Sequence, residues 1–344
     1  MERPGRIAWA ARRWLRAVAG ALLLACPLLA HAQLDYNGYG VADLSWGRFE
    51  PSGSIKDDRF NSNSLSATFI GINVKDGLDG GWAPGLTLET FFRFQDFATG
   101  RKPNDPLLSR NAFVSLASPY GSVRVGRLQT YLFDTTVRFN ALANSIAFSP
   151  AVRHVFQSGN LEGVQGDFYW DRAVSYSTPN LDGLTVNAMF AKGAAAHRGD
   201  YGGTSIVWAH GLFAGALSMQ RVHLNDGFND PTIENTLQAG ATYDFGVART
   251  FAESTWTNDI GLGVRSRVVS LGAAIPLGPG TLDLQAAFTK ATGLAVDRKH
   301  TSTSAAYLYA YDSLTDLYVA AMDDRVRGQT RGRSAAIGVR HKFE

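Results

Sequence analysis

The sequence predicts an all-β fold: a 16-stranded antiparallel transmembrane β-barrel with a long, inward-folded third loop. Three observations predict it. Beyond about residue 34 the chain breaks into short segments, many alternating apolar and polar residues. The connections between them alternate between tight turns and long loops. The chain also opens with an export leader and leaves no cysteine beyond it for disulfides. Segments of about nine to eleven residues with period-2 alternation are the mark of strands tilted across a bilayer.

The leader comes first. Arg3, Arg6, Arg12, Arg13 and Arg16 form a basic region, Ala17 to Ala30 is an uncharged apolar run, and Ala30-His31-Ala32 is a small-x-small cleavage pattern. Residues 1–32 therefore read as a signal peptide and 33–344 as one barrel domain. Cys26 is the single cysteine and lies inside the leader. Pro27 after it, and the Ala-x-Ala site downstream, weigh against a lipoprotein site. Losing five arginines and one glutamate takes the formal charge from +3 to −1, so the basic pI implies no nucleic-acid partner. No later apolar run is long enough for a spanning helix. An exported domain without disulfides needs another source of stability, and closing a sheet on itself supplies one.

Strands are expected at 34–48, 64–76, 84–97, 107–118, 121–132, 170–179, 183–193, 203–210, 212–224, 234–245, 247–257, 264–276, 280–291, 302–312, 315–324 and 333–343. The alternation is plain in 280–291, where Leu282, Leu284, Ala286 and Phe288 share one face and Thr281, Asp283, Gln285 and Thr289 the other. It recurs in 183–193 and 333–343. Long connections fall at 49–63, 98–106, 133–169, 194–202, 225–233, 258–263, 292–301 and 325–332. Tight ones fall at 119–120, 180–182, 211, 246, 277–279 and 313–314. A secreted or surface β-rich adhesin could share the alternation, but it has no reason to sort its loops by parity. Aromatics near the strand ends, such as Trp46, Phe49, Tyr169, Trp170, Tyr309 and Tyr311, suit interfacial girdles.

The segment 133–169 breaks the pattern. It lacks sustained alternation, carries Pro150, Gly159, Gly163 and Gly166, and holds both signs of charge. A loop of that length in a compact domain is usually either functional or the sign of a wrong element assignment, and an exposed surface excursion is the alternative reading. Folded into a wide barrel, it would narrow the lumen to a selective pore.

Several segments resemble the general porins of Gram-negative bacteria, in particular the trimeric sixteen-stranded proteobacterial type. These are Tyr39-Gly40-Val41-Ala42-Asp43, Ser109 to Leu116, Tyr120 to Gln129, Ser175 to Asn180 with Gly183 to Val186, and Gly338 to Phe343. The resemblance implies a homotrimer in the bacterial outer membrane, among lipid, passing ions and small hydrophilic solutes by passive diffusion. It also implies wall arginines opposite the third loop. Arg110 and Arg127 match such positions, and Arg172 and Arg93 are candidates by strand placement. On the loop, Glu162, Asp167, Arg138 and Arg153 are the charged candidates. Strand parity groups Arg127 with Val125 rather than with Arg124, so an inward aim for Arg127 requires a bulge. The chain also departs from the family. Ala67-Thr68-Phe69-Ile70-Gly71 lacks the family's second-strand arginine, the loop's acidic cluster is thin, and Glu344 follows the terminal aromatic Phe343. The histidines are scattered, and no nucleophile or metal-spaced constellation suggests an enzyme or a cofactor.

Overall fold

The computed structural model describes residues 34–158, 163–193, 198–224, 232–294 and 296–344; the expected leader lies outside them. Sixteen antiparallel strands form the wall. They are β1 (Asp35–Phe49), β2 (Phe69–Lys75), β3 (Ala83–Arg93), β4 (Ala112–Ser118), β5 (Gly121–Gln129), β6 (Tyr169–Ser177), β7 (Leu184–Ala191) and β8 (Arg198–His210). The rest are β9 (Phe213–Leu224), β10 (Thr232–Asp244), β11 (Arg249–Asp259), β12 (Val264–Leu277), β13 (Gly280–Gly293), β14 (Val296–Ala310), β15 (Thr315–Val326) and β16 (Gly332–Phe343). Each pairs with its neighbours in sequence, and the sheet closes where β1 meets β16, from Gly40 opposite Phe343 to Arg48 opposite Ala335. The sixteen segments read from the sequence match these strands in order.

Closure gives each strand two environments. On β13, Asp283, Gln285, Ala287 and Thr289 are buried on the inner side, while Leu284 and Phe288 are exposed on the outer side. The same inversion runs round the wall. Ile70, Ile72, Val114, Val125, Leu271 and Ile337 point outward, where a soluble protein would hide them. Lipid accepts such a surface, and the inner polar residues face water or the loop.

The largest departure from the expected boundaries is at strand 2. The segment 64–76 contributes a strand only from Phe69, because Asp43 captures the residues before it. Its carboxylate accepts hydrogen bonds from the backbone N–H groups of Ser64 (3.1 Å), Leu65 (3.3 Å) and Ser66 (2.9 Å), and from the Tyr318 hydroxyl (2.9 Å). Thr68 completes the knot: its Oγ1 accepts from the Asp43 N–H and donates to the Asp43 carbonyl. The chain therefore leaves the wall at 64–68. Beyond that point β1 pairs instead with Asp57–Ser62, a short ribbon of the first loop. Strand 4 likewise starts at Ala112 rather than 107, and strand 5 stops at Gln129 because a helix begins two residues later.

Asp43 is fully buried, and three backbone donors depend on it. Asp43→Ala leaves those donors unpaired and should destabilise the barrel by roughly 3–5 kcal/mol. The measure is the urea midpoint in detergent, and Asp43→Asn should recover part of the loss.

Candidate pore constriction

The segment after β5 turns into the barrel. Thr130 caps α1 (Tyr131–Arg138), its Oγ1 accepting from the Phe133 N–H. Asp134 in the first turn and Arg138 in the last complement the helix dipole. Ser149 caps the single-turn α2 (Pro150–Arg153), and Pro150 supplies the preset first position. Neither helix is visible as periodicity in so short a run.

The wall holds the back of this loop. Gln238 on β10 donates to Thr136 Oγ1 (2.7 Å) and to Glu253 on β11 (2.6 Å). Thr135 meets Ser218 on β9, Ser145 Oγ donates to the Ser64 carbonyl, and Gln285 on β13 accepts from the Leu142 N–H. Phe139 lies in a dent made by Gly240, where an added Cβ would come within 2.6 Å of the ring. Phe148 packs with Phe49, Leu65, Tyr318 and Ala336, joining the loop to the seam of the barrel.

The tightest attachment is at His154, which is fully buried. Its Nδ1 bonds Thr289 on β13 (2.7 Å), its Nε2 bonds Ser302 on β14 (2.8 Å), and its ring stacks on His300 with 3.8 Å between centroids. Asp324 accepts from Ser302 and pairs with His300 Nε2, both at 2.5 Å, while Arg153 Nε lies 3.4 Å from its other oxygen. The ligand atoms of His154, His300 and Asp324 all lie within 4.8 Å of one another. Here they are hydrogen-bonded to each other and to the two hydroxyls, and the Arg153 and Arg298 charges oppose a dication. The arrangement serves as a latch. Burial pushes the His154 imidazole well below its ordinary value of 6.5, and the facing His300 acts in the same direction.

The front of the loop faces β1–β5 across an open gap. One cavity of about 490 Å³ is lined by Tyr39, Lys75, Glu89, Arg110, Arg124 and Asp134, among others. A second, of about 420 Å³, lies between α1 and β6–β9, against Ser177, Asn187, Ser205 and Ala216; it shares Arg124, Tyr131 and Asp134 and adds Arg138. Arg110 pairs with Glu89, and its guanidinium lies 3.9 Å from the Phe69 ring centroid. Phe69 belongs to the Ala67–Gly71 stretch, which contributes no cation of its own to this wall. Glu89 also accepts from Tyr39 (2.6 Å) and Asn111 (2.8 Å). Gln129 donates to Asp134 from the wall side.

The other charges expected at a constriction are distributed as follows. Arg127 keeps the parity of Val125. A register shift does occur between Gly126 and Leu128, but the extra residue sits on β6, where Arg172 takes a φ of 52°. Arg127 donates to the Ser109 carbonyl (3.1 Å) and to Asp171 (2.7 Å). It shares a cavity of about 320 Å³ with Arg172, Lys102, Lys192 and Asp167. Arg93 is buried against Asp96 (2.7 Å) and the Gly100 carbonyl (2.8 Å). Arg153 belongs to the His154 latch. Asp167 takes two hydrogen bonds from Arg101, both 2.6 Å, which clasp the third loop to the second. Burial raises the Asp167 carboxyl, but Arg101 outweighs it and holds it below the ordinary carboxylate range. Glu162 lies outside the described residues. Arg124, Asp134, Glu89 and Lys75 line the gap without having been singled out from the sequence. Val123 and Val125 on either side of Arg124 carried a parity signal for it, whereas Asp134 was legible only as one of the charges of the 133–169 segment, with nothing to place it at the gap.

A family model described as Gram-negative porin matches residues 17–329. Among curated proteins no sequence matches. Solved structures do. An anion-selective porin from Comamonas acidovorans aligns with a TM-score of 0.76 at 21% identity, over 90% of this chain and 100% of that one. OmpT of Vibrio cholerae lacking loop L8 gives 0.70 at 14% identity, over 90% and 99%. Salmonella typhi OmpF in complex with daunomycin gives 0.64 at 16% identity, over 90% and 97%. At these identities the likeness is one of fold.

The latch predicts a pH response. A buried imidazole with a depressed pKa binds fewer protons folded than unfolded, so its attachment is fully stable above about pH 6.5 and weakens as pH falls below that value. Protection factors of amides 140–158, taken relative to the intrinsic exchange rate at each pH, should fall between pH 7 and pH 5. In His154→Gln that dependence should flatten, with faster exchange at pH 7 as well.

Proposed function

The chain belongs to the Gram-negative porin family, and from that premise we propose that it is an outer-membrane channel for passive diffusion of ions and small hydrophilic solutes, with a mild preference for anions. The observation that carries this reading is the gap between the β1–β5 wall and α1. A sixteen-stranded barrel is wide enough for an aqueous lumen, and the inward loop reduces it to that gap. Arg110 and Arg124 stand on one side and Asp134 on the other, so a transverse field crosses the narrow part. Solutes with a dipole would align in it, and apolar ones would lose hydration without compensation. Across the two cavities Lys75, Arg110, Arg124 and Arg138 outnumber Glu89 and Asp134, which supports the anion preference.

In this reading residues 1–32 are removed on export and residues 33–344 form the barrel. Three such barrels assemble side by side in the outer membrane, as the trimer form of Vibrio cholerae OmpT does. The exposed apolar surface of β1–β5, including Trp46, Ile70 and Val114, supports that contact. Arg127, Arg172 and Asp167 set the electrostatics of the long-loop vestibule rather than of the gap, and Arg93 and Arg153 act by holding the loops. The channel needs no cofactor for this, and it acts on no covalent bond.

The test is single-channel recording in a planar bilayer with reversal potentials in a salt gradient. The mature protein should give conductance steps and a reversal potential on the anion side. Arg124→Ala should lower the chloride-to-potassium permeability ratio about two- to fivefold, and Asp134→Asn should raise it by a similar factor. Absence of steps would refute the channel, and unchanged potentials in both variants would refute the placement of the constriction.

A further inference from the structure

A further pocket lies at the long-loop end of the barrel, away from the constriction. It encloses about 470 Å³ between the first-loop ribbon (Asp57–Ser62), the long-loop ends of β1 and β3, and the inward loop around α2. Phe49 and Phe91 bring the wall to it, and Ile146 and Gln157 bring the loop. The constriction cavity instead takes in Lys75 and Ser122, near the short-turn ends of β2 and β5. The volume falls within the roughly 300–1,000 Å³ usual for small-molecule sites.

Charge at this pocket is already spent. Four arginines reach it, and each has a carboxylate of its own. Arg59 pairs with Asp57, Arg93 with Asp96 (2.7 Å), Arg101 with Asp167 (2.6 Å) and Arg153 with Asp324 (3.4 Å). The two cavities beside α1 differ, because Lys75, Arg124 and Arg138 there enter no ion pair among the described residues. An anion entering the long-loop pocket would have to compete with acids that already hold the guanidiniums.

Carboxamides are what the pocket offers instead. Asn61, Asn63, Gln95 and Gln157 all line it. Asn63 Oδ1 accepts from the Thr68 N–H, and Gln95 Oε1 accepts from the Ser62 N–H (3.4 Å) and hydroxyl. A backbone N–H only donates, so these bonds fix which end of each amide is oxygen. Asn61 Nδ2 donates to Ser64 Oγ (2.8 Å). That leaves Asn63 Nδ2 and Gln95 Nε2 as donors and Asn61 Oδ1 as an acceptor, each without a partner among the described residues. Gln157 is exposed and has no partner at either end. Asn63 stands at a φ of 69°, held there beside the backbone run that Asp43 captures, so its amide is set before any solute arrives.

Donors beside acceptors suit a group that is both, and a hydroxyl is both. An oxyanion could use the two donors but would face Asn61 Oδ1, and a cation would meet the reverse conflict. Ile146 and the edges of Phe49 and Phe91 give the pocket an apolar side, which suits the C–H face of a ring. We propose that this pocket docks a neutral saccharide of one or two rings, its hydroxyls bonded by the four carboxamides and its C–H face laid against the apolar side. The site deepens the channel reading and rests on it: an uncharged solute, which gains little from the transverse field, is concentrated at the long-loop end before it meets the gap.

The test uses the full mature chain in a detergent without a sugar headgroup, titrated with maltose, glucose and glucose 6-phosphate and read by saturation-transfer NMR. Maltose should bind, and glucose 6-phosphate should bind no more tightly than glucose. Gln157→Ala should weaken maltose about five- to tenfold, as expected for one or two lost hydrogen bonds, and Gln95→Ala with Gln157→Ala at least about thirtyfold. Should the double variant fail to assemble, Gln157→Ala decides alone, because that amide holds no other part of the fold. Arg124→Ala should leave maltose affinity within about threefold of the parent, since Arg124 lines the gap and not this pocket. No maltose binding by the parent, unchanged affinity in Gln157→Ala, or tighter binding of glucose 6-phosphate than of glucose would each overturn the site. Conductance recorded on the same preparations separates the two readings. Normal steps without maltose binding would discard the saccharide site alone, whereas absent steps in the parent protein would discard the channel.

Discussion

Backbone amides cannot be left unpaired against hydrocarbon, and most of this architecture follows from that constraint. Each unsatisfied N–H or C=O in lipid costs several kcal/mol, so a sheet in a membrane must have no edge. The pairing of β1 with β16 removes the last one. Once the ring is closed, one face of every strand meets lipid and the other meets water or the loop. The inverted surface, with Ile70 and Phe288 outside and Asp283 and Gln285 inside, is a consequence of closure.

Closure also creates the problem that the third loop solves. A ring of this size encloses more space than wall side chains can fill. The loop occupies part of it, and its attachment is mainly polar because the inner wall is polar. Gln238, Glu253, Thr289 and Ser302 would suit a lumen lined with water, yet here they serve as anchoring points. Small wall residues such as Gly240 supply relief into which Phe139 fits. The loop is therefore braced against β8–β15, with Phe148 reaching the β16–β1 seam, and it leaves a gap beside the front wall, where Tyr39, Lys75, Glu89, Arg110 and Arg124 stand. The position of the gap follows from which side of the ring offers partners.

The wall was legible in the sequence because lipid imposes a local rule. Alternation, tight turns and long loops are each readable within a few residues, and together they fixed strand number and order. Strand 2 was misread at its start because Asp43 acts on Ser64, Leu65 and Ser66 from another strand, which no local pattern records. The constriction was legible only where the wall rule reaches. Arg110 came from the family resemblance, and Arg124 was implied by its valine neighbours. Asp134 was hidden because it sits on a helix too short to show a period. Asp167 was visible as an acid in the loop, but its commitment to Arg101 depends on a contact across 66 residues of chain.

The seam between Gly40 and Phe343 joins the two ends of the polypeptide. Nothing can therefore seal until the final residues have arrived at the site of insertion. A chain halted midway would present two raw borders and an oily exterior, with no stable intermediate shape to shelter them. A chain shortened before β16 would keep β1 and β15 as unpaired edges, so it should not survive in lipid as a narrower ring.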